Sequence, residues 1–174
     1  MNDPFSLTYD LLWRLVERNN KLREYLSIGN RIKYDEHSSV KREVADSDLP
    51  ELALLSGGAS ETERNSSHRY ITKNYTWVIA TGDNRINVVY NRIAFELYRS
   101  MVDFECEACK LEWCDCRFIE NINITSVDEG TSFNDLERGI SGWAALWNIE
   151  VRMVFSFQSL KLKTDFGSTP EPES

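Results

Sequence analysis

The sequence predicts a two-layer α+β domain: a mostly antiparallel sheet with two amphipathic helices packed on one face. Three observations carry this. Two segments, 3–27 and the stretch after Asp83 as far as Met101, repeat apolar residues at helical spacing. Two others, 69–83 and 142–158, alternate apolar and polar residues with a period of two. The segments between them are polar and rich in turn-forming residues. With 174 residues, of which 41% are hydrophobic and 28% charged, the chain has enough apolar side chains for one domain with a real core.

The elements follow in chain order. Asp3 is a suitable helix N-cap and Pro4 suits the first helical position, where its missing N–H costs nothing. Leu7, Leu11, Leu12, Leu15, Val16, Leu22 and Leu26 form the first apolar stripe, and Gly29 is the expected stop. Residues 30–50 are polar and less regular. The run Leu52–Leu55 reads as a short strand ended by Gly57-Gly58, and "GGASETERNSSH" as a flexible loop over 57–68. In "RYITKNYTWVIATGD", Ile71, Tyr75, Trp77 and Ile79 point one way while Tyr70, Thr72, Asn74 and Thr76 point the other. The second helix carries Ile86, Val89, Tyr90, Ile93, Ala94, Leu97, Tyr98 and Met101 as its core stripe.

Phe118, Ile122 and Ile124 are in phase for a further strand, and residues 128–139 read as an extended hairpin connection. The clearest strand is "GWAALWNIEVRMVFSFQ". Its odd positions Trp143, Ala145, Trp147, Ile149, Val151, Met153, Phe155 and Phe157 are apolar, and Asn148, Glu150, Arg152, Ser156 and Gln158 occupy even ones. One domain is therefore expected over residues 1–162, followed by a disordered acidic tail at 163–174, which lacks the apolar content to fold.

Charge narrows the function classes. The chain carries 28 acidic and 20 basic residues, a net charge of −8, which argues against a protein that grips a nucleic-acid backbone. No apolar run reaches the roughly 18 residues of a membrane span. The first ten residues lack the basic-then-apolar order of a secretory signal, so a reducing cytoplasm is the expected compartment.

The search for chemistry assembles no acid, base and nucleophile. His37 and His68 both lie in polar, loop-like segments and read as solvated rather than catalytic. Gly57-Gly58 has neither the spacing nor the lysine of a phosphate loop. Asp46, Asp48 and Glu51 are candidates for a divalent cation, although turn residues ahead of Pro50 explain them as well. All four cysteines fall in "CEACKLEWCDC": Cys106, Cys109, Cys114 and Cys116, spaced C-x2-C-x4-C-x-C. Structural zinc favours two C-x2-C knuckles separated by a dozen or more residues. Here the second pair is C-x-C and the gap is short. A helix-end pair meeting a strand pair across a tight turn still allows tetrathiolate geometry. Glu105, Glu107, Glu112 and Asp115 disfavour the thiolates that metal binding or nucleophilic attack requires. Free structural thiols, a disulfide and a zinc site all remain open, with free thiols the leading reading; no metal and no cofactor are expected.

The order of elements resembles a particular family. An N-terminal amphipathic helix, the "DLPELALL" strand, "YTWVIATGD" running straight into a helix, and the closing "GWAALWNIEVRMVFSF" strand are similar to the layout of tailed-phage tail terminators, the lambda-type minor tail proteins. The resemblance spans residues 5–160. The cysteine cluster and the 57–68 segment lie outside its pattern. It implies a structural, non-enzymatic virion protein, assembled in the bacterial cytoplasm and resident in the virion tail. Its implied partners are its own copies in a hexameric ring, the tail tube protein and the head–tail connector protein, with DNA only passing through the lumen and no membrane contact. A small binding module organised by zinc on the four cysteines is the alternative. An enzyme using Asp46, Asp48 and Glu51 is a third class.

Overall fold

Asp3 starts the first helix by direct capping. Its Oδ1 accepts from the backbone N–H groups of Phe5 at 3.0 Å and Ser6 at 2.9 Å, and its Oδ2 accepts from Ser6 Oγ at 2.6 Å. The side-chain bond from Ser6, with backbone donors behind it, holds the Asp3 carboxyl below its ordinary range. The computed structural model describes residues 3–26, 31–33, 50–81, 88–114, 116–135 and 140–160. The expected stop at Gly29 and the acidic tail at 163–174 lie outside the described residues.

One expected helix is two. α1 spans Pro4–Arg18 and α2 spans Asn20–Tyr25, with Asn19 between them in extended backbone at φ −80° and ψ 103°. Asn19 Oδ1 accepts from the N–H groups of Lys21 and Leu22, so this side chain competes with the helix for backbone donors and restarts it. The apolar stripe survives the break, because Leu22 and Leu26 are as buried as Leu12 and Val16.

A strand, β1 (Arg31–Lys33), runs parallel to β2 (Glu51–Arg64), and β2 pairs antiparallel with β3 (His68–Thr81). The expected loop from Gly57 is thus mostly strand: β2 continues to Arg64 through a bulge between Ser56 and Ala59. The bulge has identifiable anchors. Lys73 Nζ donates to the Gly57 carbonyl at 2.7 Å, and a Cβ on Gly57 would lie 3.2 Å from both Cβ and the carbonyl oxygen of Asn74. Residues 57–64 are exposed. A strand exposed on both faces has no reason to alternate, so its sequence reads as loop.

α3 (Val88–Ala108) follows, then a two-stranded ribbon of β4 (Glu112–Trp113) and β5 (Cys116–Arg117), then the long pair β6 (Ile119–Asp135) and β7 (Ile140–Ser156), and the single turn α4 (Phe157–Leu160). The main sheet has the order β1-β2-β3-β7-β6, antiparallel except for β1. The strands of the expected connection at 128–139 extend the hairpin through Asp135 and from Ile140; residues 136–139 lie outside the described set.

Register places the apolar residues in rows on the helix-facing side. Leu54, Trp77, Trp147 and Val127 form one row, and Tyr75, Ile149 and Ile124 another. α1 packs over β2 and β3, where Trp13 meets Trp77 edge-on at 5.2 Å and Tyr9 donates to the Leu54 carbonyl. α3 lies beside α1 and covers the sheet with Tyr90, Ile93, Leu97, Met101 and Phe104, all buried. The opposite face carries Thr76, Asn148 and Ser126, joined by hydrogen bonds, and Arg152, which pairs with Glu63 and Glu120 across the strands. The α+β, two-layer architecture is therefore as the sequence predicts, with the helices on one face.

Candidate functional site

The cysteine segment is the first place to look for chemistry. Cys106 lies in the last turn of α3 and Cys109 in the turn that follows, where its N–H donates to Glu105 O at 3.3 Å. Cys114 occupies the turn of the β4–β5 ribbon with φ 51°, a left-handed conformation that non-glycine residues seldom adopt, and Cys116 pairs with Trp113. All four are free thiols; three are exposed and Cys109 is half-buried. Among the described residues, no three His, Cys, Asp or Glu side chains are grouped so as to hold a metal ion. The four cysteines do not assemble the tetrathiolate set that a zinc module needs.

The other candidates do not converge either. His37, Asp46 and Asp48 lie outside the described residues. Glu51 starts β2 opposite Ala80 and is buried. His68 starts β3, its Nδ1 2.8 Å from Ser67 Oγ. Ala80 lies twelve positions along β3 from His68, which at about 3.3 Å per residue puts roughly 40 Å between them.

The structure brings together a polar junction that residue spacing does not reveal. Where α1 breaks, Asn19 Nδ2 approaches the Glu96 carbonyl at 3.2 Å, Glu96 Oε2 at 3.1 Å and Ser100 Oγ at 2.9 Å. Lys21 and Arg99 each place a cationic nitrogen 3.5 Å from the same carboxylate. Burial opposes ionisation of Glu96, but the Asn19 amide and the Arg99 and Lys21 charges outweigh it and hold its carboxyl below the ordinary range. A cleft of about 370 Å³ opens alongside, lined by residues including Arg18, Asn19, Asp103, Cys106, Glu107 and Lys110. Its charges answer one another: Arg18 Nη1 binds Glu107 at 3.2 and 2.9 Å. The Cys106 thiol makes no hydrogen bond to another described residue. The junction is a staple between helices, built from one buried carboxylate and its donors.

A second internal network ties α3 to the β6–β7 hairpin. The Tyr90 hydroxyl donates to Glu129 Oε1 at 2.6 Å and accepts from Trp147 Nε1 at 3.4 Å. Burial, with Glu129 adding to it, pushes the Tyr90 phenol up to about 12. Glu129 sits beside a bulge at which Gly130 takes φ 94°, a conformation that glycine supplies.

Among the described residues, the main exposed apolar feature is on α3. Phe95, Tyr98 and Val102 are 62%, 53% and 51% exposed, and Tyr98, expected in the core stripe, belongs to this outer set. The true inner stripe continues past Met101 through Phe104 to Ala108. No protein-family model and no curated protein matches this chain in sequence comparisons.

Proposed function

We propose that this protein is a structural assembly subunit of a phage or prophage virion with the role of a tail terminator: copies join head to tail into a hexameric ring that caps the tail tube and meets the head connector. The observation that carries the reading is the pair of hairpins at opposite ends of the sheet. At one end, residues 57–67 of the β2–β3 hairpin are exposed. At the other, β6 and β7 continue past the last β3 pair, Thr81 with Trp143, through the pairs Phe133–Gly142, Asn134–Ser141 and Asp135–Ile140. Two unlike projecting patches are what a head-to-tail contact uses, because such a contact joins different surfaces of identical subunits.

Further support comes from charge and from the element order. A net charge of −8 suits a ring whose lumen passes DNA without holding it. The helix, hairpin, helix, hairpin order is the layout to which the sequence resemblance points. Among the described residues, no helix is long and apolar enough to cross a membrane.

The test is light scattering across a concentration series, with electron microscopy of the concentrated protein and of protein mixed with tail tubes. Six-membered rings, free or seated on tube ends, are expected. A two-fold dimer that grows no further at any concentration and ignores tube ends contradicts the reading.

A further inference from the structure

α3 carries a second apolar seam. Glu96, Ser100 and Glu107 face the α1–α2 junction, and Ile93, Leu97, Met101 and Phe104 face the sheet. At 3.6 residues per turn, Phe95, Tyr98 and Val102 fall on the remaining flank, turned away from both. With Asn91 before them and Glu105 after, they follow the alternating four- and three-residue steps of a coiled-coil seam. All three apolar members are more than half exposed.

We propose that this flank is a self-association surface, which receives the same flank of a second copy in antiparallel orientation about a two-fold axis. The charge pattern selects both occupant and direction. Arg92 lies at the N-terminal end of the seam and Asp103 and Glu105 at its C-terminal end; none of the three has an ion pair among the described residues. A parallel pair turns Arg92 and its copy to opposite sides of the seam, where Arg92 faces the Ala94 flank and meets no carboxylate. An antiparallel pair sets Phe95 against Val102 of the partner subunit, Tyr98 near the axis, and Arg92 against the partner's Asp103. Helical angle puts Arg92 and Asp103 on the same side of the seam, and a two-fold axis perpendicular to the helices preserves that side. Arg99 also comes near the axis, where Glu96 of its own helix offsets its charge at 3.5 Å.

Two turns of apolar contact fall short of a standard interface, so the pair is weak and forms with concentration. The inference goes beyond the ring reading: a two-fold contact uses one patch twice, whereas a ring contact uses two different patches.

Light scattering of the full chain over a concentration series tests it with three variants. Phe95→Asp removes the seam at an exposed position, so its circular dichroism should match the wild type while the mass of the concentrated species halves. Arg92→Asp should raise the midpoint of association at least about fivefold, because it juxtaposes like charges twice. Combining Arg92→Asp with Asp103→Arg should restore the midpoint. The inference is overturned if the wild type stays monomeric throughout, if Phe95→Asp keeps the wild-type mass, or if the charge-swapped pair fails to recover. Whether the halved species is a six-membered ring or a monomer judges the ring reading separately.

Discussion

The two apolar stripes of α3 use similar side chains and meet opposite fates. Leu97 and Phe104 are wholly buried, while Phe95 and Val102, each two residues away, are more than half exposed. The difference teaches that helical period identifies an apolar face without saying what covers it. The inner stripe is covered by the chain's own sheet and fixes the fold. The outer stripe contributes little to the isolated domain, because its apolar surface remains in water on folding. Stability and association should therefore separate on one helix.

The same contrast between covered and open faces is strongest on β7. Asp in place of Val151 or Trp147 buries an unpaired charge on the covered face and should unfold the domain, whereas Glu150→Asp on the open face should leave urea unfolding within about 0.5 kcal/mol of wild type. Equal sensitivity at the two faces breaks the assigned register.

A middling effect is expected at the α1–α2 junction. Asn19→Ala removes the cap of α2 and the amide donor to buried Glu96, a loss of about 2–3 kcal/mol in urea unfolding. Acid sharpens this. Glu96 ionises below its ordinary 4.5 in the fold, so its contribution is present above that pH and is lost as pH falls through the lower folded value. The gap between wild type and Asn19→Ala should narrow over that acid range. A gap that holds constant down to low pH means the Asn19–Glu96 bond adds nothing.

The smallest effect belongs to the exposed cap at the chain's start. Asp3→Ala should cost about 1 kcal/mol. Because the folded carboxyl titrates below its ordinary 3.8, the capping benefit is present above that pH and fades as pH falls through the folded value. Thermal unfolding at neutral and acid pH reads it directly.

What was legible in the sequence follows from burial. β7 could be read residue by residue from Trp143 to Phe155 because one face is covered and the other is not, although Phe157, expected on the same strand face, starts α4 instead. The Asp3-Pro4 start could be read because its capping is local. The break at Asn19 was hidden because the apolar stripe runs on through Leu22 and Leu26, although two consecutive asparagines mark a place where side chains compete for backbone donors. The extension of β2 was hidden because an exposed strand leaves no period. Lys73 was passed over because its charge interrupts the apolar row in which the period of two places it, yet its stem lies on the covered face and its ammonium reaches the Gly57 carbonyl, 5.3 Å from the Phe5 ring centre. Cysteine spacing was uninformative because α3 ends between Cys106 and Cys109, so neither helical nor strand periodicity governs the set.

The most direct test of the division of labour on α3 compares urea unfolding of Leu97→Ala and Phe95→Ala in dilute protein. Removing Leu97 should lose about 2–5 kcal/mol by opening a cavity against the sheet, and removing Phe95 should change stability by no more than about 0.5 kcal/mol. Comparable losses at the two positions would contradict the account, since they would mean that the outer stripe is already covered within the single chain.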